Sequence, residues 1–140
     1  MKVLECEQII RQFVMYDKVI TAVNRVSLTI EAGEFVAVRG ESGSGKTTLL
    51  NICAGLDTPN SGHVRLLGQD LAGMTTDELC RFRGKHVGFV FQTFRLVPYL
   101  TTFENILLPL SAADRDPGHY QERLHILVER LGLSDRLNHL

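Results

Sequence analysis

A short glycine-rich stretch at residues 40–50, GESGSGKTTLL, limits the possible folds of this chain more than any other part of its sequence. It contains the spacing G-x-x-x-x-G-K-[ST], formed by Gly40, Gly45, Lys46 and Thr47. An apolar segment at 35–39 precedes it, and apolar residues at helical spacing follow it over 46–56. A loop between a strand and a helix points several backbone N–H groups into one concavity, where the helix dipole adds positive potential. The stretch therefore predicts a phosphate-binding loop.

Each residue type in the loop has a separate task. Glycine lets the backbone approach a phosphate without a Cβ in the way. Lys46 would reach the β- and γ-phosphates of a nucleoside triphosphate, and the Thr47 hydroxyl would bind Mg²⁺. The residues predicted to hold the nucleotide here are Gly40, Ser42, Gly43, Ser44, Gly45, Lys46, Thr47 and Thr48.

Composition excludes several classes of partner. The 140 residues include 15 basic and 16 acidic side chains, a net charge of -1, which is no electrostatic footprint for nucleic acid or an anionic membrane. No apolar run approaches the roughly 18 residues of a transmembrane helix. Glu5 and Glu7 stand where a signal peptide would be apolar, so we expect a cytoplasmic protein. Three cysteines without CxxC spacing (Cys6, Cys53 and Cys80) are predicted to be reduced and buried.

Hydrophobic periodicity gives a coarse order of elements. Apolar segments between turn residues predict strands at 3–10, 24–30, 35–39, 63–68 and 86–91. Helices are expected over 46–56 and after two capping boxes, Thr75 with Glu78 and Thr101 with Glu104. Pro109 should bend or end the second of these.

A longer helix is predicted near the end of the chain. Asp116 and Pro117 are typical of a helix start, and Gly132 is placed to end it. Apolar side chains at helical spacing predict its buried face, namely Tyr120, Leu124, Leu127 and Leu131.

Residues 27–71 resemble the opening of an ATP-binding-cassette (ABC) domain. The motifs that carry this resemblance are Gly33-Glu34 before the loop, Gly55-Leu56 after the helix, Pro59-Asn60-Ser61-Gly62, and Gly68. Residues 81–110, RFRGKHVGFVFQTFRLVPYLTTFENILLPL, resemble the Q-loop region of that family, with Gln92 as its glutamine. The form FQ-x-F-x-L-x-P, followed by T-x-x-E-N and L-P-L, is most similar to the branch of lipoprotein release and macrolide export. The resemblance runs from about residue 3 to the end.

The resemblance implies an α/β fold: a P-loop nucleoside triphosphatase with an antiparallel β subdomain. It implies ATP and Mg²⁺ as cofactors, catalytic roles for Lys46 and Gln92, and Mg²⁺ contacts from Thr47 and Gln92. Tyr16 falls where the family places an aromatic ring against adenine, although a partly buried core tyrosine is the alternative. Gln92 could equally be a solvated loop residue.

The resemblance also implies two protein partners. Residues 93–100 would meet a transmembrane permease, with Phe94, Leu96, Val97 and Tyr99 facing either that partner or the core. A second cassette would complete a sandwich around two ATP molecules. The protein is expected on the inner face of the cell membrane, where its contact with the permease would hold it.

Hydrolysis needs groups that the chain lacks. No run of four apolar residues ending in Asp follows residue 56, and the LSGGQ signature, the Asp-Glu strand end and the switch histidine of the family are absent. We therefore expect residues 1–140 to be the N-terminal part of one ABC domain, truncated before the signature motif. The chain alone would bind ATP without turning it over, whereas the full-length protein would couple hydrolysis to export or lipoprotein release.

Three other functions stay open. A nucleotide kinase would carry arginine-rich lid segments, and none are clustered here. A non-catalytic regulatory module would bind nucleotide without turnover in the intact protein. An interaction fragment with a vestigial loop would bind no nucleotide.

Overall fold

A long β-hairpin begins the chain, formed by β1 (Lys2–Met15) and β2 (Lys18–Glu31). Met15 pairs with Lys18, so the two residues between them form the turn. The computed structural model of the protein describes residues 1–112 and 115–140. These residues divide into two units, Met1–Leu79 and Cys80–Leu140.

The first unit is built on a four-stranded antiparallel sheet. β3 (Ser61–Leu66) pairs with β1, and β4 (Gln69–Asp70) pairs with β3, which gives the order β2-β1-β3-β4. The strand predicted at 3–10 lies within β1, which continues to Met15, and the one predicted at 24–30 is the second half of β2. The strand predicted at 63–68 overlaps β3, which begins two residues earlier and ends at Leu66.

A bulge in β1 decides which side chains reach the core. Leu4 and Cys6 are buried, and strict alternation would continue with residue 8. Instead the register with β2 shifts between Cys6 and Ile9, and Gln8 has a left-handed φ of 49°. The extra residue turns Ile9 to the buried face, where it is fully enclosed.

Helix α1 (Lys46–Cys53) contacts β1, β2 and β3 and buries Leu49 and Ile52. It is shorter than the predicted 46–56, because Gly55 adopts a φ of 67° and the Leu56 N–H turns back to the Asn51 carbonyl at 2.7 Å. This left-handed ending is a common way to stop a helix.

An ion pair and two hydrogen bonds hold the connection from α1 to β3 against β1. The Arg11 guanidinium makes two contacts with the Asp57 carboxylate, Nε to Oδ2 at 3.0 Å and an NH2 nitrogen to Oδ1 at 2.8 Å. The Asn60 side chain accepts from the Gln12 N–H at 2.7 Å, and the Asn60 N–H donates to the Ile10 carbonyl.

The remaining helices are α2 (Thr76–His86), α3 (Thr102–Ala112) and α4 (Gln121–Arg130), with 3-10 turns at Leu71–Gly73, Pro117–Tyr120 and Ser134–Arg136. Both capping boxes are confirmed, since Glu78 accepts from Thr75 and Glu104 accepts from Thr101. α3 does not end at Pro109 but continues to Ala112. The Asp116 carboxylate caps the 3-10 turn that precedes α4.

Three predictions about elements are wrong. Residues 35–39 and 87–91 form no strand in the described ranges, and His86 belongs to α2. A strand exists through hydrogen bonds to a neighbour, and neither segment has such a ladder among the described residues. On α4 the buried residue is Val128, while Leu127 and Leu131 are exposed.

Two further observations bear on function. Within the described residues, no helix is long and apolar enough to cross a membrane. The same part of the chain holds no group of three or more His, Cys, Asp or Glu side chains that could bind a metal ion.

Candidate functional site

The backbone of the glycine loop has left-handed dihedral angles, which glycine adopts without strain. Gly43 and Gly45 have left-handed φ angles of 79° and 88°. A Cβ built on Gly40 would lie 2.8 Å from the Ser44 Oγ, and one on Gly45 would run into the carbonyl oxygen of Ala22. Glycine at 45 is therefore required by close approach to backbone as well as by dihedral angle, whereas the Ser44 side chain beside Gly40 can rotate away.

Ala22 is a part of the site that sequence reasoning missed. The β1–β2 register passes from Arg11 opposite Val23 to Gln12 opposite Thr21, so Ala22 is the extra residue of a bulge. Bulges re-aim the backbone and are frequent beside functional sites. Here the bulge brings a strand carbonyl against Gly45 and sets the position of the loop on β2.

The Lys46 ammonium lies inside the loop that precedes it. Its Nζ donates to the Gly40 carbonyl at 2.9 Å, to the Glu41 carbonyl at 2.5 Å and to the Ser44 hydroxyl at 3.3 Å. Three neutral acceptors thus hold a charged donor beside the loop backbone. A phosphate oxygen would form a stronger, charge-assisted hydrogen bond with the same group.

The N-terminal end of α1 is suited to an anion. Its N-cap is Gly45, which offers no side-chain cap, and the first turn contains no acidic residue. The first amides of a helix have no intrahelical acceptor, and the helix dipole is positive at this end. The amides of Lys46, Thr47 and Thr48 belong to this turn, and Thr47 is exposed. These amides fit a phosphate chain, and the Mg²⁺ contact of the Thr47 hydroxyl stays a prediction.

A cavity of about 290 Å³ lies beside the loop, lined by residues of β2, by Val38 and Arg39, and by the start of α1. Tyr16 does not line it. This tyrosine lies at the hairpin turn with a φ of 54° and is 97 % exposed, so it is not the partly buried core residue of the alternative interpretation. A stacking role for Tyr16 stays a prediction.

Gln92 belongs to the second unit and lies in a bend, exposed. Among the apolar residues that follow it, Phe94, Leu96 and Tyr99 are exposed, whereas Val97 is partly covered. The structure therefore groups the predicted loop residues 40–48 in the first unit, and it leaves the roles of Gln92 as predictions.

Asn105 organises the segment after Gln92, which the sequence analysis did not foresee. Its Oδ1 accepts from the Val97 N–H at 2.8 Å, and its Nδ2 donates to the carbonyls of Val97, Leu100 and Thr101 at 2.9–3.1 Å. One side chain thus ties the backbone on both sides of a turn to α3. The signal was present in the motif T-x-x-E-N, whose last residue is this asparagine.

Comparison with known proteins identifies the family. The sequence profile of the family described as "ABC transporter" matches residues 23–140. The probable syringafactin export ATP-binding/permease protein SyfD of Pseudomonas syringae pv. syringae is 44 % identical over 136 residues, which is 97 % of this chain and 21 % of that protein. The macrolide export ATP-binding/permease protein MacB of Burkholderia thailandensis is 43 % identical over the same shares.

Solved structures give the same result. A dimeric ATP-binding cassette in a post-hydrolysis state, bound to ADP and Pi, is 35 % identical, with a TM-score of 0.87 over 97 % of this chain and 60 % of that one. The chain thus spans about a fifth of the first curated relatives and 60 % of this cassette. The predicted fold class, an ABC-type P-loop nucleotide-binding fold with an antiparallel β subdomain, is confirmed. The chain belongs to the ABC transporter family.

Proposed function

We propose that this chain binds ATP with Mg²⁺ through residues 40–48, as the ATP-binding part of an ABC transporter of the export or lipoprotein-release type. The observation that carries the proposal is the placement of Lys46, whose ammonium lies within the glycine loop at the uncapped end of α1. Relatives named for syringafactin and macrolide export support the branch.

In this proposal each site residue has one role. Lys46 neutralises the β- and γ-phosphates, the amides of the first turn of α1 hold phosphate oxygens, and Thr47 binds Mg²⁺. Tyr16 stacks on the adenine, since an aromatic face accepts a base with little regard to its identity. Gln92 approaches the Mg²⁺ and orients the attacking water in the full-length protein.

Both units are proposed to belong to one ATP-binding domain, because the family profile runs through them. The chain alone should bind ATP without turnover. A carboxylate that holds Mg²⁺ at a strand end is required for hydrolysis, and no apolar run ending in Asp follows residue 56. In the full-length protein, ATP hydrolysis would drive transport.

Two partners are proposed for the full-length protein. The exposed side chains of Phe94, Leu96 and Tyr99 are suited to contact a transmembrane permease, as apolar residues concentrate at interface cores. That contact would hold the protein on the inner face of the cell membrane, in the cytoplasm. A second cassette is supported by the dimeric state of the similar solved structures.

The test is ATP binding measured by calorimetry, with hydrolysis measured on the same samples. Lys46→Ala should weaken binding at least about tenfold, because it removes a charged hydrogen-bond donor. Chelation of Mg²⁺ should weaken it as well. Lys85→Ala, which removes an exposed lysine of α2 in the second unit, is the matched control and should bind as the unmodified chain does.

Equal affinity of the Lys46→Ala and Lys85→Ala variants would overturn the assignment of the loop. Turnover that disappears in Lys46→Ala would show instead that the chain holds a catalytic carboxylate, and the expectation of binding without hydrolysis would then be wrong.

A further inference from the structure

Two cysteines from distant parts of the chain are in contact where the C-terminal end of α1 meets the sheet. The Cys6 Sγ and the Cys53 Sγ are 3.7 Å apart and share a hydrogen bond, although 47 positions separate them. Both are free thiols; Cys6 is buried, at 2 % exposure, and Cys53 is partly exposed. The contact lies wholly within the first unit.

The backbone on both sides of this contact is fixed. Cys6 lies in an inner strand and pairs with Leu28 of β2 and Val64 of β3. Cys53 is the last residue of α1, and the next turn is closed by the Ala54 N–H, which donates to the Leu50 carbonyl at 3.0 Å. The two sulfurs are therefore held near one another by regular structure on either side.

We propose that Cys6 and Cys53 are a thiol–disulfide site, which closes to an intramolecular disulfide under the action of a low-molecular-weight disulfide such as glutathione disulfide. The sulfurs must approach from 3.7 Å to a bond length of about 2.0 Å. The proposal is independent of the nucleotide-binding role, because neither cysteine belongs to the loop.

The order of attack follows from exposure and from the hydrogen bond between the thiols. The Cys6 S–H stabilises the thiolate of its neighbour and so lowers the pKa of Cys53, while the same bond, together with burial, raises the pKa of Cys6. Cys53 is also the more exposed of the two residues. It is therefore the attacking thiolate, and Cys6 is the resolving thiol.

The chemistry balances in two exchanges. The Cys53 thiolate bonds to one sulfur of glutathione disulfide, and the other sulfur leaves as a glutathione thiolate. The Cys6 sulfur then attacks the Cys53 sulfur and loses its proton, which the second departing glutathione thiolate accepts. The two cysteines are oxidised by two electrons, and glutathione disulfide is reduced to two molecules of glutathione.

The bond would fasten the end of α1 to the middle of the sheet. α1 carries the glycine loop at its other end, so the covalent ring from Cys6 to Cys53 would enclose the whole loop. Because the ring constrains the unfolded chain, the oxidised form should have a higher melting temperature than the reduced form.

The experiment uses the whole chain carrying Cys80→Ser, which removes the exposed third cysteine. After treatment with glutathione disulfide, intact mass and peptide mapping should show the loss of two hydrogen atoms and a Cys6–Cys53 cross-link that a reductant reverses. The ring-closing exchange, in which the Cys6 sulfur displaces glutathione from Cys53, should be at least about tenfold faster in the native state than in urea, where the effective concentration of one thiol near the other is lower. The melting temperature should rise on oxidation.

Single substitutions in the same background test the order of attack. Cys6→Ser should leave Cys53 carrying one glutathione, and Cys53→Ser should leave Cys6 unmodified. The proposal is overturned if the folded Cys80→Ser chain keeps both thiols, if each takes up its own glutathione, or if the disulfide forms only in urea. These outcomes are read on the chain with both cysteines present, so they do not depend on whether either variant folds.

Discussion

Gly43 and Gly45 are two glycines of one loop with nearly the same left-handed φ, yet their surroundings differ. A Cβ on Gly43 would meet nothing within 4 Å, whereas one on Gly45 would overlap the Ala22 carbonyl oxygen. The pair therefore separates the cost of a dihedral angle from the cost of a steric overlap.

We expect Gly43→Ala to lower the free energy of unfolding by about 1–2 kcal/mol, the cost of a left-handed φ for a residue with a Cβ. Gly45→Ala carries the same cost and also forces the loop off β2, which adds about 1–3 kcal/mol. Urea unfolding of the chain without nucleotide measures both. Equal losses in the two variants would show that the contact with Ala22 does not constrain the loop.

Among single residues, those of the loop are predicted well, because the spacing of the motif is enough to identify Gly40, Gly45, Lys46 and Thr47. It does not predict Ala22 or the thiol contact between Cys6 and Cys53. Both depend on which distant segments pair in the sheet, and local spacing carries no information about that pairing. The prediction that all three cysteines are buried is right for Cys6, but Cys53 is only partly buried and Cys80 is exposed.

Among the elements, the two capping boxes show what local chemistry decides. Glu104 accepts from the Thr101 N–H at 2.7 Å and from the Thr101 hydroxyl at 2.8 Å, at the start of α3. Mainly the backbone N–H, and then the hydroxyl, hold the pKa of the Glu104 carboxyl below its ordinary value of 4.5. A lowered pKa in the folded state means that the carboxylate stabilises α3.

This stabilisation has a defined dependence on pH. It is complete above the ordinary glutamate pKa of 4.5 and is lost as the pH falls through the lower, folded value. We expect Glu104→Gln to remove part of the fall in stability below pH 4.5, because an amide does not titrate. The urea midpoint, followed from neutral pH downward, measures it. Curves of the same shape for both chains would exclude a contribution from this carboxylate.

Elements that depend on distant partners were predicted less well. Residues 18–23, the first part of β2, were missed, because Lys18 and Thr21 interrupt the apolar pattern of an otherwise exposed hairpin end. Residues 35–39 and 86–91 have the apolar composition of strands but no ladder among the described residues. Composition indicates that a segment can be a strand, whereas hydrogen bonding to a neighbour makes it one.

Across the whole molecule, large apolar side chains are exposed outside the sheet, and Phe35 is among the most exposed at 97 %. Phe35→Ser should change the free energy of unfolding by less than about 0.5 kcal/mol and should reduce light scattering at high concentration. Ile52→Ser, at a position with 1 % exposure, is the contrasting control and should cost about 2–5 kcal/mol. A large loss of stability in Phe35→Ser would show that this side chain is covered in solution.

The order of strands in the sheet has a consequence for synthesis on the ribosome. β1 is made before its partners, yet it lies between β2 and β3. β2 follows at once and covers one edge, but β3 begins only at Ser61, and about 30 residues separate it from the end of β2. At roughly 5–20 residues per second, the other edge of β1 stays open for about 1.5–6 seconds. The Cys6 side chain, which lies against Cys53 in the finished fold, likewise stays open to solvent until residues 46–53 are made and α1 can pack on the sheet.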